Sequence, residues 1–346
     1  MGKRMFIIIV TLLLVFSISF VAVGCSGQRA AKPGEGPVGK AVELKFAHHW
    51  AAQSPFGRGM QYFADVVNEE SGGQLKVEVF AADSLVTGVE MYEAMLDGIV
   101  DIGFVTTSQI SPKIRELTVL EIPGIYDLGG GDFDYFDYAA EIRPNLEEIY
   151  EEYGMVFLYA VDPGDLAICS TQPIQDISDF NGKRIRDYGV WAGKVIEALG
   201  ATPMTIPPGD VTLSLERNIV DAAMGTWGFV DGFKLYEQGK HITWLGVGGV
   251  SCQIFMKQDT FDALTTEQQQ IIRKAASDAM HKHTEFLEET KEAFIRTSEA
   301  VGVTHYHLSD DIRAEMFDKF DTVFENSRDI VGPKGNDLLD KLLRMR

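Results

Sequence analysis

The sequence predicts an α/β fold in two lobes, with one long helix able to brace both. Three observations carry this. From Val42 to Val105, short alternating apolar runs are separated by stretches of helical period, giving the order β-α-β-α-β; that order marks a parallel sheet with crossover helices. A second set of strand and helix segments begins at Met155 and continues to Met256. Between Thr265 and Glu299 a helical period runs unbroken, longer than a helix confined to one ordinary lobe.

Each element has a local reason. Val42–Ala47 alternates and reads as a strand. Pro55 opens a helix with Phe56, Met60, Phe63 and Val67 on one stripe, and Gly72-Gly73 stops it. Leu75, Val77 and Val79 alternate with Lys76 and Glu78 in a second strand. A helix over Val89–Leu96, closed by Gly98, leads to a strand at Val100–Val105, and Ser108 to Gly131 is looser. Glu141–Tyr153 is helical, with Ile142, Leu146, Ile149 and Tyr150 inward. Further strands are expected at Met155–Tyr159, Leu166–Ser170, Arg184–Arg186, Pro203–Ile206, Asp221–Met224, Ile242–Val247 and Ser251–Met256. Thr265 or Thr266 caps the long helix, with Gln268 or Gln269 completing a capping box. Ser309 or Asp310 caps another helix carrying Ile312, Met316, Phe320 and Phe324; a short one at Asn336–Leu343 follows. No fixed-period repeat is visible.

The chain opens with Lys3 and Arg4, an apolar run from Met5 to Val23, and Ala22-Val23-Gly24 before Cys25. That order describes an export signal. Small residues directly before a cysteine describe a lipoprotein cleavage site, with Cys25 acylated as the new N-terminus. A transmembrane anchor is the alternative; the position of Cys25 and the Gly-, Pro- and Ala-rich tether after it favour the lipoprotein. The expected layout is a signal over 1–24, a tether over 25–41, a first lobe mainly over 42–161, a second mainly over 162–260, and the long and C-terminal helices over 261–346. The protein is then extracytoplasmic and membrane-anchored, in the periplasm if an outer membrane is present.

The 346 residues carry a net formal charge of −20. Removing Lys3 and Arg4 with the signal leaves 29 cations against 51 acids, a net −22. Such a surface argues against nucleic-acid or anionic-lipid partners. It leaves an anionic ligand open, because one buried arginine outweighs diffuse surface charge. Cys169 and Cys252 lie in separate strand-like runs; unpaired burial is favoured over a disulfide, which the sequence leaves undecided.

No phosphate loop, nucleophile elbow or His-Glu-x-x-His zinc site is present. Gly129-Gly130-Gly131 and Gly246–Gly249 lack dinucleotide-binding spacing and read as turns. His305 and His307 share a strand face, but no cysteine or carboxylate has matching spacing, so no metal is expected. His281 and His283 fall on different faces of a helix and are expected to be solvated. No nucleophile-and-base constellation is visible, which argues against an enzyme, and no cofactor is implied.

One ordered set of segments resembles a known family. Asp179-Phe180-Asn181-Gly182-Lys183-Arg184-Ile185-Arg186 is similar to the strand bearing the ligand-binding arginine in the DctP-type substrate-binding proteins of TRAP transporters. Leu199-Gly200-Ala201-Thr202-Pro203 and Leu213–Asp221 follow at the spacing of that family. Ser71–Phe80 and Gly98–Phe104 resemble its first lobe. The likeness runs from Val42 to about Glu299. It implies a two-lobed, periplasmic-binding-protein-like clamp on a hinge, with the long helix across both lobes. It also implies a small organic acid as ligand and a membrane permease driven by an ion gradient as partner. A binding protein of an ATP-driven importer and a ligand-sensing module remain open as alternatives, as does, more remotely, a secreted hydrolase.

By the same resemblance Arg186 pairs with the ligand carboxylate, for which a guanidinium offers a planar fork of donors and a charge that survives desolvation. Arg184, on the same face by period, is its rival. Some members carry a second arginine one strand earlier, where this chain has Leu166. Others end the Asp221 motif in Gln-Glu-Asn-Pro, where this chain has Ala222-Ala223-Met224-Gly225-Thr226-Trp227. Both departures remove polar groups, so an apolar or aromatic monocarboxylate or keto acid is expected. His49, Trp50, Thr106, Thr107, Trp191, Gly225, Thr226 and Trp227 are the remaining candidate ligand contacts.

Overall fold

The computed structural model describes residues 41–128 and 134–345. The leader, Cys25, most of the tether and the Gly129–Gly131 turn lie outside the described residues. In chain order the elements are β1 (Val42–His48), α1 (Pro55–Glu70), β2 (Leu75–Phe80), α2 (Met91–Leu96), β3 (Ile102–Thr106), α3 (Thr107–Ile110), α4 (Tyr135–Glu152), β4 (Met155–Val161), β5 (Leu166–Ser170), β6 (Arg184–Asp187), α5 (Val190–Ala198), β7 (Thr202–Thr205), α6 (Val211–Glu216), β8 (Ala222–Thr226), α7 (Trp227–Gly232), β9 (His241–Trp244), β10 (Cys252–Lys257), α8 (Gln258–Asp262), α9 (Thr266–Ala300), β11 (Thr304–His307) and α10 (Asp310–Met345).

Two sheets form. The first has the order β2-β1-β3-β10-β4, the second β11-β9-β5-β8-β6-β7. β1, β2 and β3 run parallel, as the alternating crossovers require. Each sheet also takes in one antiparallel strand. β10 lies between β3 and β4 in the first, and β5 between β8 and β9 in the second. The chain therefore crosses between lobes at 162–165 and returns at 245–251. Cys169 in β5 and Cys252 in β10 sit in different sheets, both buried and free.

The crossing segments are stitched together. Asp165 Oδ1 accepts from the backbone N–H groups of Gly246 (2.9 Å) and Val247 (3.2 Å). Leu166 and Leu245 add a backbone bond of 2.9 Å. The lobes also share one device. Asp101 Oδ2 accepts from Lys45 N, and Asp221 Oδ2 from Arg184 N, each at 2.8 Å. Each aspartate thus holds the start of a neighbouring parallel strand, two residues beyond an exposed isoleucine, Ile99 or Ile219. After each following strand a threonine, Thr106 or Thr226, caps a short helix.

α9 starts where expected, on the Thr265 capping box with Gln268. Its first half packs on α1 and β4 of the first lobe. Near its end, Phe294 meets Trp227, Tyr236 and Trp244 of the second. Ser298 Oγ joins His305 Nε2 at 2.9 Å, and Trp244 Nε1 donates to His305 Nδ1 at 3.0 Å. Both His305 nitrogens are thereby engaged, and among the described residues no group of three or more His, Cys, Asp or Glu is placed to hold a metal.

His283 corrects an expectation. It is fully buried, not solvated, because α9 presses that face onto Gly59 of α1, where an added Cβ would stand 2.6 Å from the imidazole Nδ1. His281, exposed, stacks on Phe136. Gly59→Ala is expected to destabilise the fold by about 1–3 kcal/mol through overpacking, even though alanine is the better helix former; urea unfolding measures the difference.

Two boundaries differ from the sequence reading. α4 begins at Tyr135, six residues before the expected start, with the Asp134 side chain capping Phe136 N at 2.7 Å. The C-terminal stretch is two helices, as expected, but they part at Gly332, whose φ of +69° and ψ of −178° are non-helical, so the last helix starts before the expected Asn336. Among the described residues no helix is long and apolar enough to cross a membrane.

Candidate functional site

The C-terminal ends of β3 and β8 abut the crossing segments. Thr107 N donates to Ser251 O at 2.8 Å and Trp227 N to Asp165 O at 3.3 Å. In parallel α/β sheets, strand ends at such a crevice are where ligands bind. Arg186, on β6 beside β8, is the charged group that stands out there.

Arg186 is 4% exposed. Its Nε donates to Ile206 O and its Nη1 to Met224 O, both at 3.2 Å. Its Cζ lies 4.5 Å from the centroid of the Phe229 ring, a cation–π contact. Among the described residues it forms no ion pair with a carboxylate. Burial lowers its pKa to about 10, with the neighbouring Asp187 and Tyr188 opposing the shift, so it stays charged at neutral pH. A guanidinium has five N–H donors; two are used on carbonyls, leaving a fork for an incoming anion.

Arg184 is committed elsewhere. Its Nε and Nη2 grip Asp221 at 3.1 and 2.9 Å, a bidentate pair. That hydrogen bond holds the Asp221 carboxyl below its usual range. Strand periodicity could not separate the two arginines; the partner did.

The other candidates divide by what their polar atoms do. His49 and Trp50 follow β1, with rings 4.6 Å apart, and Trp50 stacks on Phe56 at 4.2 Å. His49 Nδ1 and Trp50 Nε1 are enclosed without a partner among the described residues. Burial lowers the His49 pKa to about 4. Thr106 Oγ1 meets Ser108 Oγ at 3.3 Å and takes part in a capping box with Gln109. Thr107 is fully buried, its hydroxyl donating to Ser251 O at 2.7 Å. Thr226 Oγ1 accepts from Phe229 N at 3.3 Å. Gly225 leaves room for Phe229, whose Cδ1 would lie 2.6 Å from an added Cβ. Trp227 is buried against Phe294 and lies tight to Gly164 of the crossing segment. Trp191 belongs to the core around α5, with Lys194 Nζ 4.4 Å from its ring centre.

Several residues here escaped the sequence reading. Phe229 sits under the guanidinium, and Tyr188 Oη reaches Gly249 O at 3.4 Å. Tyr126 donates to the buried Asp162 at the crossing, and burial raises the Asp162 pKa well above the usual range. Glu121 ends a 3₁₀ segment, Arg115–Glu121, in the stretch that showed no period. The spacing of Tyr188 two residues after Arg186, and of Phe229 three after Thr226, was the signal available for two of them.

The comparisons bear on the family and the fold. The family model for DctP, described as bacterial extracellular solute-binding protein, family 7, matches residues 46–329. The C4-dicarboxylate-binding protein DctB of Bacillus subtilis is 26% identical over 318 residues, covering 88% of this chain and 87% of its own. The ectoine-binding periplasmic protein TeaA of Halomonas elongata is 28% identical over 214 residues, 60% of this chain and 62% of its own. Among solved structures, TeaA in its apo state superposes with a TM-score of 0.81 at 22% identity, over 88% of this chain and all of that one. A TRAP periplasmic solute-binding protein from Shewanella oneidensis with bound succinate gives 0.73 at 20% identity, over 88% and 99%. The chain belongs to the DctP family, the family 7 extracellular solute-binding proteins that serve TRAP transporters.

Proposed function

We propose that this protein captures a small monocarboxylate between its lobes by an Arg186–carboxylate pair and delivers it to an ion-gradient-driven membrane permease. The observation that carries the reading is a buried guanidinium served only by two carbonyls and an aromatic ring. Leaving a charge so placed without a counter-ion is costly, and an incoming carboxylate offsets that cost. Closure then follows from ligand contacts with both lobes.

The body of the ligand is apolar or aromatic. Phe229, Tyr188 and the Trp50–Phe56 stack offer ring faces. Leu166 is fully buried where other members carry a second arginine, and the hydroxyls of Thr107 and Thr226 already have backbone partners. Thr106, His49 and Trp50 remain as the candidates with polar atoms to spare. Acylation at Cys25 would hold the protein at the outer face of the membrane, where the permease is reached by diffusion in two dimensions.

A thermal-shift screen against aromatic acids, keto acids, dicarboxylates and sugar acids tests this. Ligand at a hundred times its Kd is expected to add about 2.7 kcal/mol, raising Tm by several degrees. A shift by an apolar or aromatic monocarboxylate supports the reading. A shift by sugar acids alone keeps the clamp and removes the apolar pocket.

A further inference from the structure

Glu121 is a second titratable group in the neighbourhood of Arg186, on the stretch that follows the first lobe's strand β3. It ends the Arg115–Glu121 segment that follows β3 and α3. The neighbouring Ile122 and Pro123 press against Gly249 so closely that an added Cβ there would fall 2.5 Å from Pro123 Cα. Gly249 O in turn accepts from Tyr188 Oη at 3.4 Å. Tyr188, two residues after Arg186, thus meets the same Gly249 as the residues that follow Glu121. The charges of Glu121 and Arg186 both act on its hydroxyl, along with those of Asp162 and Asp187. A carboxyl from the first lobe and a guanidinium from the second therefore flank one tyrosine.

The Glu121 carboxyl is incompletely served. Its Oε1 is enclosed and has no hydrogen-bond partner among the described residues, and Ser111 is the donor beside the group. A buried carboxylate oxygen without a donor is costly. Tyr159 Oη, fully enclosed on β4 just before the crossing, is likewise unpartnered. A plain aliphatic or aromatic acid brings one negative charge, which suits Arg186 but favours the neutral form of the Glu121 carboxyl, whose pKa burial already raises to about 7. A molecule with a carboxylate at one end and a protonated nitrogen beside it answers both. It also touches both lobes, which is what ligand-driven closure needs.

We infer that the ligand is an amino-carboxylate zwitterion, its carboxylate on Arg186 and its N–H donors on Glu121, with Tyr188 lining the space between. The inference rests on the carboxylate clamp proposed above and refines it, choosing the amino acid over the keto acid of the same skeleton.

Matched pairs test it: phenylalanine against phenylpyruvate, and leucine against 4-methyl-2-oxopentanoate, titrated calorimetrically into the wild type, Glu121→Gln and Arg186→Met. The amino member of a pair is expected to bind the wild type about tenfold or more tightly than its keto partner. Glu121→Gln is expected to erase that preference while leaving keto-acid affinity within about threefold, which also shows the variant folded. Arg186→Met is expected to lose both. Keto acids binding the wild type as well as amino acids would overturn the inference and leave the carboxylate clamp intact. An amino-acid preference unchanged in Glu121→Gln would overturn the assignment of Glu121. Binding of neither class would overturn both the inference and the clamp.

Discussion

Arg186→Met is expected to weaken acid binding by about thirtyfold or more while leaving the unliganded protein as stable as the wild type, or more so. The two halves have one cause. In the unliganded protein the guanidinium is buried with two carbonyls and a ring as its direct contacts and, among the described residues, no ion-paired carboxylate, although Asp187 stands near in charge. An uncompensated buried charge costs stability, and an apolar side chain of similar length removes that cost. In the complex the same charge meets a desolvated carboxylate. Deleting one partner of a buried, hydrogen-bonded pair costs about 2–5 kcal/mol, which is roughly thirtyfold to several thousandfold. Calorimetric titration and urea unfolding of one preparation measure both. A variant that lost stability and kept binding would make Arg186 a structural residue. Arg184 serves as the control, since its charge is spent on Asp221.

A second large effect is expected with pH. His48 ends β1 at 1% exposure, and His283 on α9 is fully buried. No ring nitrogen of either has a partner among the described residues. Phe46 and Phe104 flank His48, and Phe56 and Phe104 flank His283, edge-on. Burial lowers the His48 pKa to about 4 and that of His283 to about 3; His49 adds to the shift of the first, and His48 to that of the second. With folded values below the unfolded one, the unfolded chain binds the extra protons. This stability is therefore complete above about pH 6.5 and is lost as pH falls toward 3–4. At pH 5 the loss is about 2 kcal/mol for each histidine.

Buried acids, Asp162 among them, pull the other way. Burial raises the pKa of Glu121 and of Asp165 to about 7, so folding takes up protons there, and these groups add stability as pH falls. The clean readout is a difference. His283→Phe keeps the ring and removes the titration, so it is expected to lose about 2 kcal/mol less than the wild type between pH 7.5 and 5 by urea unfolding. Equal losses would mean that His283 is hydrated or already charged.

Much of the fold was legible because its signals are local. Period-two runs located β1 and β2, and a capping box placed the start of α9 to within one residue. Legibility stopped where a partner distant in sequence decides. Nothing in Cys252–Lys257 says that β10 leaves the second lobe's stretch of sequence to pair with β3 and β4. His283 read as solvated because a helical wheel assumes one buried face, whereas α9 is covered by α1 and β4 and then by the second lobe. At the site, the family resemblance pointed to Arg186 and alternation left Arg184 as its rival; that Arg184 is bound to Asp221 could not be read from the sequence. Glu121 was invisible. Its segment has no period, and its significance is an unpartnered oxygen, which is a property of the folded neighbourhood alone.

The most direct test of the account is a crystal structure of the protein with the tightest-binding acid from the screen. The account predicts a ligand carboxylate within hydrogen-bond distance of Arg186, the ligand body against Phe229 and Tyr188, and contacts to both lobes. A carboxylate held elsewhere would contradict it. The cavity of about 140 Å³ between α4, β4 and α9, which Arg143 lines, is one such place. Finding the acid there, with Arg186 still bonded only to Ile206 O and Met224 O, would remove the central claim.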